Sequence, residues 1–325
     1  MGTTSDKKIL AQIRKNVNNI KWECICKECN DIAINSHLIQ RNGILKNLVE
    51  NGHLYEVKQK DFFRFERSSA PYEFKRVGVG QAISHPIFCN NHDTNLFIDI
   101  EKTIPDLSDY KSQLLFSYRV VCAELRKKEI EKEYFTRISK SKSFSSNDFI
   151  DVSKNMIEGY SYGIKDLSLF QQQIEEELEN TSDNFIFKYY KFPLLEVYAS
   201  STFSFQERIS DPDKIREIEV FHGGFIHVLP FNNFTNILIG YNKKYANQKM
   251  IEYILSWENI DNLEFGRKLT ELFCARIEGW GLSPRLYNKL SNNQIHNTIN
   301  IMHENMMVND FDVYVDYNLF GDFMK

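Results

Sequence analysis

Cysteines in the first third of the chain constrain its fold more than any other feature. Cys24, Cys26 and Cys29 stand together in WECICKECND, and Cys89 and His92 follow in FCNNHD after 59 residues between Cys29 and Cys89. A Cys-x2-Cys pair (Cys26, Cys29) answered by a Cys-x2-His pair (Cys89, His92) supplies four thiolate and imidazole ligands. That set suits tetrahedral zinc. Cys24 is the alternative ligand if the knuckle is shifted. Four protein ligands leave no open coordination position, so a zinc ion held this way is structural. The other two cysteines, Cys122 and Cys274, sit alone on helical patterns and read as small core residues.

This metal reading depends on reduced thiols. The opening MGTTSDKK has no apolar signal core, and no apolar run reaches the roughly 18–20 residues that span a bilayer. Gly2 could be read as a myristoylation site, but Asp6 occupies the place where that motif needs Ser or Thr. The expected location is cytoplasmic, with no membrane partner, and there clustered cysteines read as metal ligands rather than disulfides. Hydrophobic residues at 42%, with 14% aromatic, are enough for a packed core and exclude a disordered chain. A net charge of −4 excludes a strongly basic protein of the histone or ribosomal kind. Residues 1–105 carry 15 basic against 12 acidic side chains and the remainder 25 against 32. A surplus of +3 is too small to argue alone for a nucleic-acid partner.

Periodicity places the elements. Residues 7–20 predict a helix leading into the cysteine cluster. Ile44, Leu45, Leu48 and Val49 fall at helical spacing before a stop at Gly52. HLYEV predicts a strand, RVGVGQAISHPIFC a strand or hairpin that delivers Cys89, and the residues from Asp93 a further helix. Pro105-Asp106 marks a boundary. Beyond it one long amphipathic helix spans Leu107–Ile138, a serine-rich loop follows at 139–148, and a second helix carries Leu167, Phe170, Ile174 and Leu178. FIFKYYKF, LLEVYASSTFSF, EIEVFHGGFIHVLP and FTNILIGY alternate with period two and predict three or four strands. Helical patterns close the chain at 244–257, 262–279 and 294–306. The expected class is α+β: a treble-clef-like zinc module at 1–105, a helical connector at 106–180, and an antiparallel sheet with helices at 181–325.

His37 stands eight residues after Cys29, behind the alternating run Ile32-Ala33-Ile34. Over residues 22–101 the order of knuckle, strand with histidine, and second ligand pair resembles the HNH endonucleases of the treble-clef group. The resemblance implies His37 as general base and Asp93, next to the His92 ligand, near the nuclease-metal position, with Mg2+ or Mn2+ at the scissile phosphate. Ser36 stands where that group has Asp or His. Its middle Asn is not identifiable, His85 being the nearest substitute, and Asp93 replaces the usual Asn or His. The other reading of His37 is as a zinc ligand.

Two functions follow. One is a metal-dependent endonuclease acting on nucleic acid, in a layout that by analogy suits a bacterial defence or toxin protein. The other is a non-catalytic, zinc-stabilised binding or sensing protein with a protein or small-molecule partner, or a second copy of itself. Other signals are weaker. Gly78-Val79-Gly80 lacks the Lys-Ser/Thr of a phosphate loop. His222 and His227, five apart on a strand, face opposite ways. His296 and His303 share a helix face without a third ligand, and Ser201 has no recognisable base beside it.

Overall fold

The computed structural model describes residues 4–60, 71–102, 104–144, 148–180, 182–205, 222–306, 308 and 310–324. The architecture is α+β. The N-terminal region holds the cysteine cluster, and the C-terminal region combines sheet and helices. Among the described residues no helix is long and apolar enough to cross a membrane.

Among the described residues seven strands form one antiparallel sheet in the order β3-β2-β9-β6-β7-β8-β5. They are β2 (His53–Gln59), β3 (Tyr72–Gly78), β5 (Phe185–Pro193), β6 (Val197–Ser204), β7 (Gly223–Phe231), β8 (Phe234–Asn242) and β9 (Trp280–Leu282). β7 and β8 turn through Asn232 and Asn233, with φ of 52° and 62°. Two successive left-handed residues make the tight hairpin whose twist matches its strands, and Asn tolerates that conformation. β5 then pairs with β8 along nine residues, from Phe185 opposite Asn242 to Pro193 opposite Phe234. β9 is the joint of the sheet, since Leu282 lies opposite both Tyr55 on β2 and Val197 on β6. The N-terminal hairpin β2–β3 thereby belongs to the same sheet as the C-terminal strands.

Alternation along β7 separates two cores. Phe225 and Leu229 pack with the long helices and the N-terminal region, whereas Ile226 and Val228 pack with Trp257, Phe265, Phe273 and Trp280 under the C-terminal helices. Every residue of β7 is buried, which makes it a strand covered on both faces. The first covering layer is a pair of long helices, α3 (Tyr110–Lys140) and α4 (Asp148–Asn180). They run antiparallel: Tyr110 reaches Glu177 at 2.9 Å and Tyr118 reaches Glu175 at 2.7 Å, while Phe135 stacks on Tyr160 near the turn. Asp109 caps α3 by accepting from the Ser112 N–H at 2.8 Å. The N-terminal helix α1 (Thr4–Asn18) seats Leu10 and Val17 against Tyr134, Phe135 and Ile138 of α3.

Local readings differ from the sequence expectation in three places. The helical spacing at 44–49 yields only a 3-10 turn at Leu45–Asn47 before Gly52, whose φ is +75°; the burial of Ile44, Leu45 and Leu48 in the core, not a helix, explains those apolar positions. The helix expected from Asp93 starts earlier, as α2 (Asn90–Leu96), because Cys89 caps it. The pattern at 262–279 breaks into a helix at Asn262–Glu271 and a π-helical turn at Leu272–Arg276, after which extended Ile277 leads the chain toward strand β9.

Candidate metal centre

Two segments far apart in sequence are laced together by backbone hydrogen bonds. Residues 22–33 double back on themselves, with Cys24 N–H donating to Asp31 O and Ala33 N–H to Trp22 O, both at 2.8 Å. Glu28, at φ 62°, turns the tip. Ile25 N–H donates to Ile87 O at 2.9 Å and Ile34 N–H to Phe88 O at 2.7 Å, which ties this loop to the residues before Cys89. A short ladder of β1 (Asn35–His37) with β4 (Ser84–Pro86) continues the join. Cys89 caps α2, its Sγ accepting from the His92 N–H at 3.5 Å. The first turn of the helix therefore points His92 back at its own cap.

The result is a cluster of Cys24, Cys29, Cys89 and His92 whose ligand atoms all lie within 4.8 Å of one another. Sγ of Cys29 and Cys89 are 3.9 Å apart, and His92 Nδ1 lies 3.4 Å from Cys24 Sγ and 3.3 Å from Cys89 Sγ. A tetrahedron with Zn–S bonds of about 2.3 Å has edges of roughly 3.8 Å, so the cage has the size of a zinc site. Three sulfurs and one imidazole at this spacing are typical of structural zinc. Electrostatics fit a cation as well. Burial pushes the Cys24 thiol up, but backbone N–H groups at Cys89 and Cys26, with His92 and Cys29, bring it down to about 7. The Asp31 backbone favours the Cys29 thiolate, yet burial and the neighbouring Cys24 and Cys89 raise it to about 11. Several thiolates packed together need a positive ion between them to ionise jointly.

Of the residues singled out from sequence, the structure brings Cys29, Cys89, His92 and the alternative Cys24 together. Cys26 is not in the group. Burial first, then the nearby Cys24, raises its thiol, which meets the Tyr118 hydroxyl on α3. The two thiols gathered from this segment are thus spaced Cys-x4-Cys, and the shorter Cys-x2-Cys competes with that spacing in the sequence. His37 is also outside the group. Its Nε2 lies 3.1 Å from the Val79 carbonyl, and burial above all lowers its pKa, against the contact with Val79, with Arg41, Asp93 and Glu101 acting at longer range. Asp93 sits on α2 with Oδ1 buried and without a hydrogen-bond partner among the described residues. His85 on β4 is pushed down to about 3 by burial, then by Lys127 and Lys58. Among the described residues no second group of three or more His, Cys, Asp or Glu gathers closely enough to share an ion. Cys122 and Cys274 are core residues at 0% and 4% exposure.

Sequence reasoning missed two arginines on α3. Arg126 donates to the Glu23 carbonyl at 2.7 Å and lies over Trp22, 5.0 Å from the ring centre. Arg119 pairs with Glu101 at 2.6 Å and covers Phe97 at 4.0 Å. Seven residues apart, they share one face of α3 and clamp the two halves of the metal centre. Two arginines on the otherwise apolar stripe of that helix were the available signal.

No family model matches the chain, and neither a curated protein nor a solved structure matches it.

Proposed function

We propose that this is a zinc-stabilised binding protein. One Zn2+ on Cys24, Cys29, Cys89 and His92 holds the N-terminal region, and the rest of the chain recognises a protein or small-molecule partner. The complete four-ligand cage carries this reading, because it leaves no coordination position for a substrate. The order of knuckle, β1–β4 ladder and α2 supports a treble-clef-like module. In this reading residues 1–105 hold the metal, and the helical connector at 106–180 together with 181–325 supplies the recognition region. Elemental analysis of purified protein is expected to give about one zinc per chain, and chelation to lower the melting temperature sharply. Metal-free protein with an unchanged melting temperature would sink the reading.

One observation favours a second reading as an HNH-like nuclease. If the His37 Nε2–H donates to Val79 O, Nδ1 is left as a free base, and the orphaned Asp93 Oδ1 offers a hard ligand for Mg2+ or Mn2+. Cleavage of DNA or RNA by the wild type, lost in both His37→Ala and Asp93→Ala with zinc content intact, would establish it. Absence of cleavage by the wild type with either ion would leave the binding role.

A further inference from the structure

A pocket of about 240 Å3 opens between the α3–α4 pair and β6, with none of the cluster residues in its walls. Its charged walls are Glu124 and Lys128 from α3, Asp166 from α4, Arg276 at the end of the π-helical turn, Glu278 just beyond it, and Asp310. Such turns recur where a helix re-aims functional side chains. Here the turn ends at Arg276, and the extended backbone of Ile277 carries the chain on to Glu278.

Most of these charges are already engaged. Glu124 gives both oxygens to Lys127, at 3.0 and 2.9 Å. Arg276 is fixed by Glu271 at 3.0 Å and the Asp310 carbonyl at 2.6 Å. Glu278 offers Oε2 to Lys127 at 3.4 Å while its side chain stays 76% exposed. Lys128 and Asp166 differ: among the described residues neither makes a hydrogen bond or an ion pair. The Lys128 stem lies across Gly163, where a Cβ would come within 2.8 Å of its Cδ. Burial pushes the Asp166 carboxyl up, and Lys165 and Lys128 pull it back. Opposite charges that make no hydrogen bond or ion pair therefore line one small space, with Thr202 of β6 in its wall.

We propose that this pocket binds a small amino-acid-like ligand, with its ammonium group on Asp166 and Glu278 and its carboxylate on Lys128. A lone anion is disfavoured because carboxylates outnumber cations in the walls, with Asp310 the fourth acid against Lys128 and Arg276. A lone cation leaves Lys128 unanswered. The volume falls below the roughly 300–1,000 Å3 of pockets for drug-sized compounds, which sets the ligand at metabolite size. The proposal deepens the binding-protein reading by naming a ligand class, and its test does not use the zinc.

Calorimetric titration of the purified full chain with L-lysine, L-alanine, putrescine and succinate decides it. Both amino acids are expected to bind, succinate not to bind, and putrescine to bind at least tenfold more weakly than L-lysine. Asp166→Asn and Lys128→Met should each weaken L-lysine at least tenfold with zinc content unchanged. Gly163→Ala, which displaces the Lys128 stem without altering charge, should weaken it in the same direction. No binding of either amino acid overturns the proposal, as do unchanged affinity in Asp166→Asn and Lys128→Met or equal binding of putrescine and L-lysine. Zinc measured in the same samples reports separately on the metal reading.

Discussion

Arg126 Nη2 on α3 lies 2.7 Å from the carbonyl oxygen of Glu23, one residue before the metal-cluster residue Cys24 and 103 residues earlier in the chain. The Arg126 side chain is only 5% exposed, so the bond is shielded from water and the guanidinium also covers Trp22. A charge-assisted hydrogen bond in such a place contributes about 1.5–3 kcal/mol. Arg126→Ala is expected to lower unfolding free energy by about that amount and to weaken zinc retention against a competing chelator. Arg126→Lys cannot reproduce the planar contact with the ring and should recover less than half of the loss. Denaturant titration of both variants checks this, and wild-type stability in Arg126→Ala would show that the helix does not brace the site.

The second prediction separates Cys24 from Cys26. Cys24→Ser removes a member of the cage and should abolish stoichiometric zinc. Cys26→Ser, at the thiol that meets Tyr118, should keep about one zinc per chain. Elemental analysis with a thiol-reactivity assay distinguishes them. The reverse result would restore the Cys-x2-Cys knuckle.

That contrast shows where sequence reading reached and where it stopped. Cys89 and His92 were legible as a Cys-x2-His pair, although the helix that carries His92 starts at Asn90, capped by Cys89, and not at Asp93. Cys24 against Cys26 was not legible, because the choice rests on a left-handed Glu28 and on the Ile25–Ile87 hydrogen bond, neither written in local pattern. The α+β class and the long helix pair followed from periodicity. The membership of β2–β3 in the large sheet did not. It depends on β9, three residues long and more than two hundred positions away, too short to carry an alternation.

β9 also supplies a prediction about that joint. A Cβ at Gly281 would run into the Tyr198 ring and stand 2.6 Å from the Tyr55 carbonyl. Tyr198 is fully buried and cannot swing aside without opening the core. Gly281→Ala should destabilise by about 1–3 kcal/mol, as overpacking does, whereas Gly279→Ala, two residues earlier with nothing within 4 Å, should change little. Comparable melting temperatures for the two variants would contradict the close approach of β2, β9 and β6.

Glu56 ties the same joint to the metal region. Its Oε1 accepts from the Ile83 N–H at 2.7 Å and from the Tyr198 hydroxyl at 3.2 Å, and Lys58 lies at 2.5 Å from Oε2. Ile83 sits at φ 31°, a conformation a β-branched residue adopts only when surroundings enforce it. Glu56→Ala should release that enforcement and strand two buried donors, costing about 3–5 kcal/mol. Glu56→Gln, which keeps an acceptor oxygen, should cost less than half as much. Equal losses would mean that charge, not the hydrogen bonds to Ile83 and Tyr198, sets the effect.

Acid should destabilise the fold through its buried histidines. His227 is completely buried, bonded through Nδ1 to the Ser200 hydroxyl at 2.8 Å, and burial alone lowers its pKa to about 3. His85 is lowered to about 3 as well, by burial, then Lys127 and Lys58, but it keeps some contact with solvent and contributes less. Above pH of about 6.5 both states hold a neutral imidazole, and the histidine adds no pH dependence. Below it the unfolded chain takes up a proton that the folded chain refuses, so stability falls as pH drops from about 6.5 toward 3. The expected slope for one such group is about 1.4 kcal/mol per pH unit. Denaturant titrations between pH 7.5 and 5, with zinc in excess so that ligand protonation affects both proteins alike, should therefore show a shallower decline in His227→Gln than in wild type. Parallel curves would mean that His227 takes up its proton without unfolding, and that Ser200 and Phe116 around it yield to water.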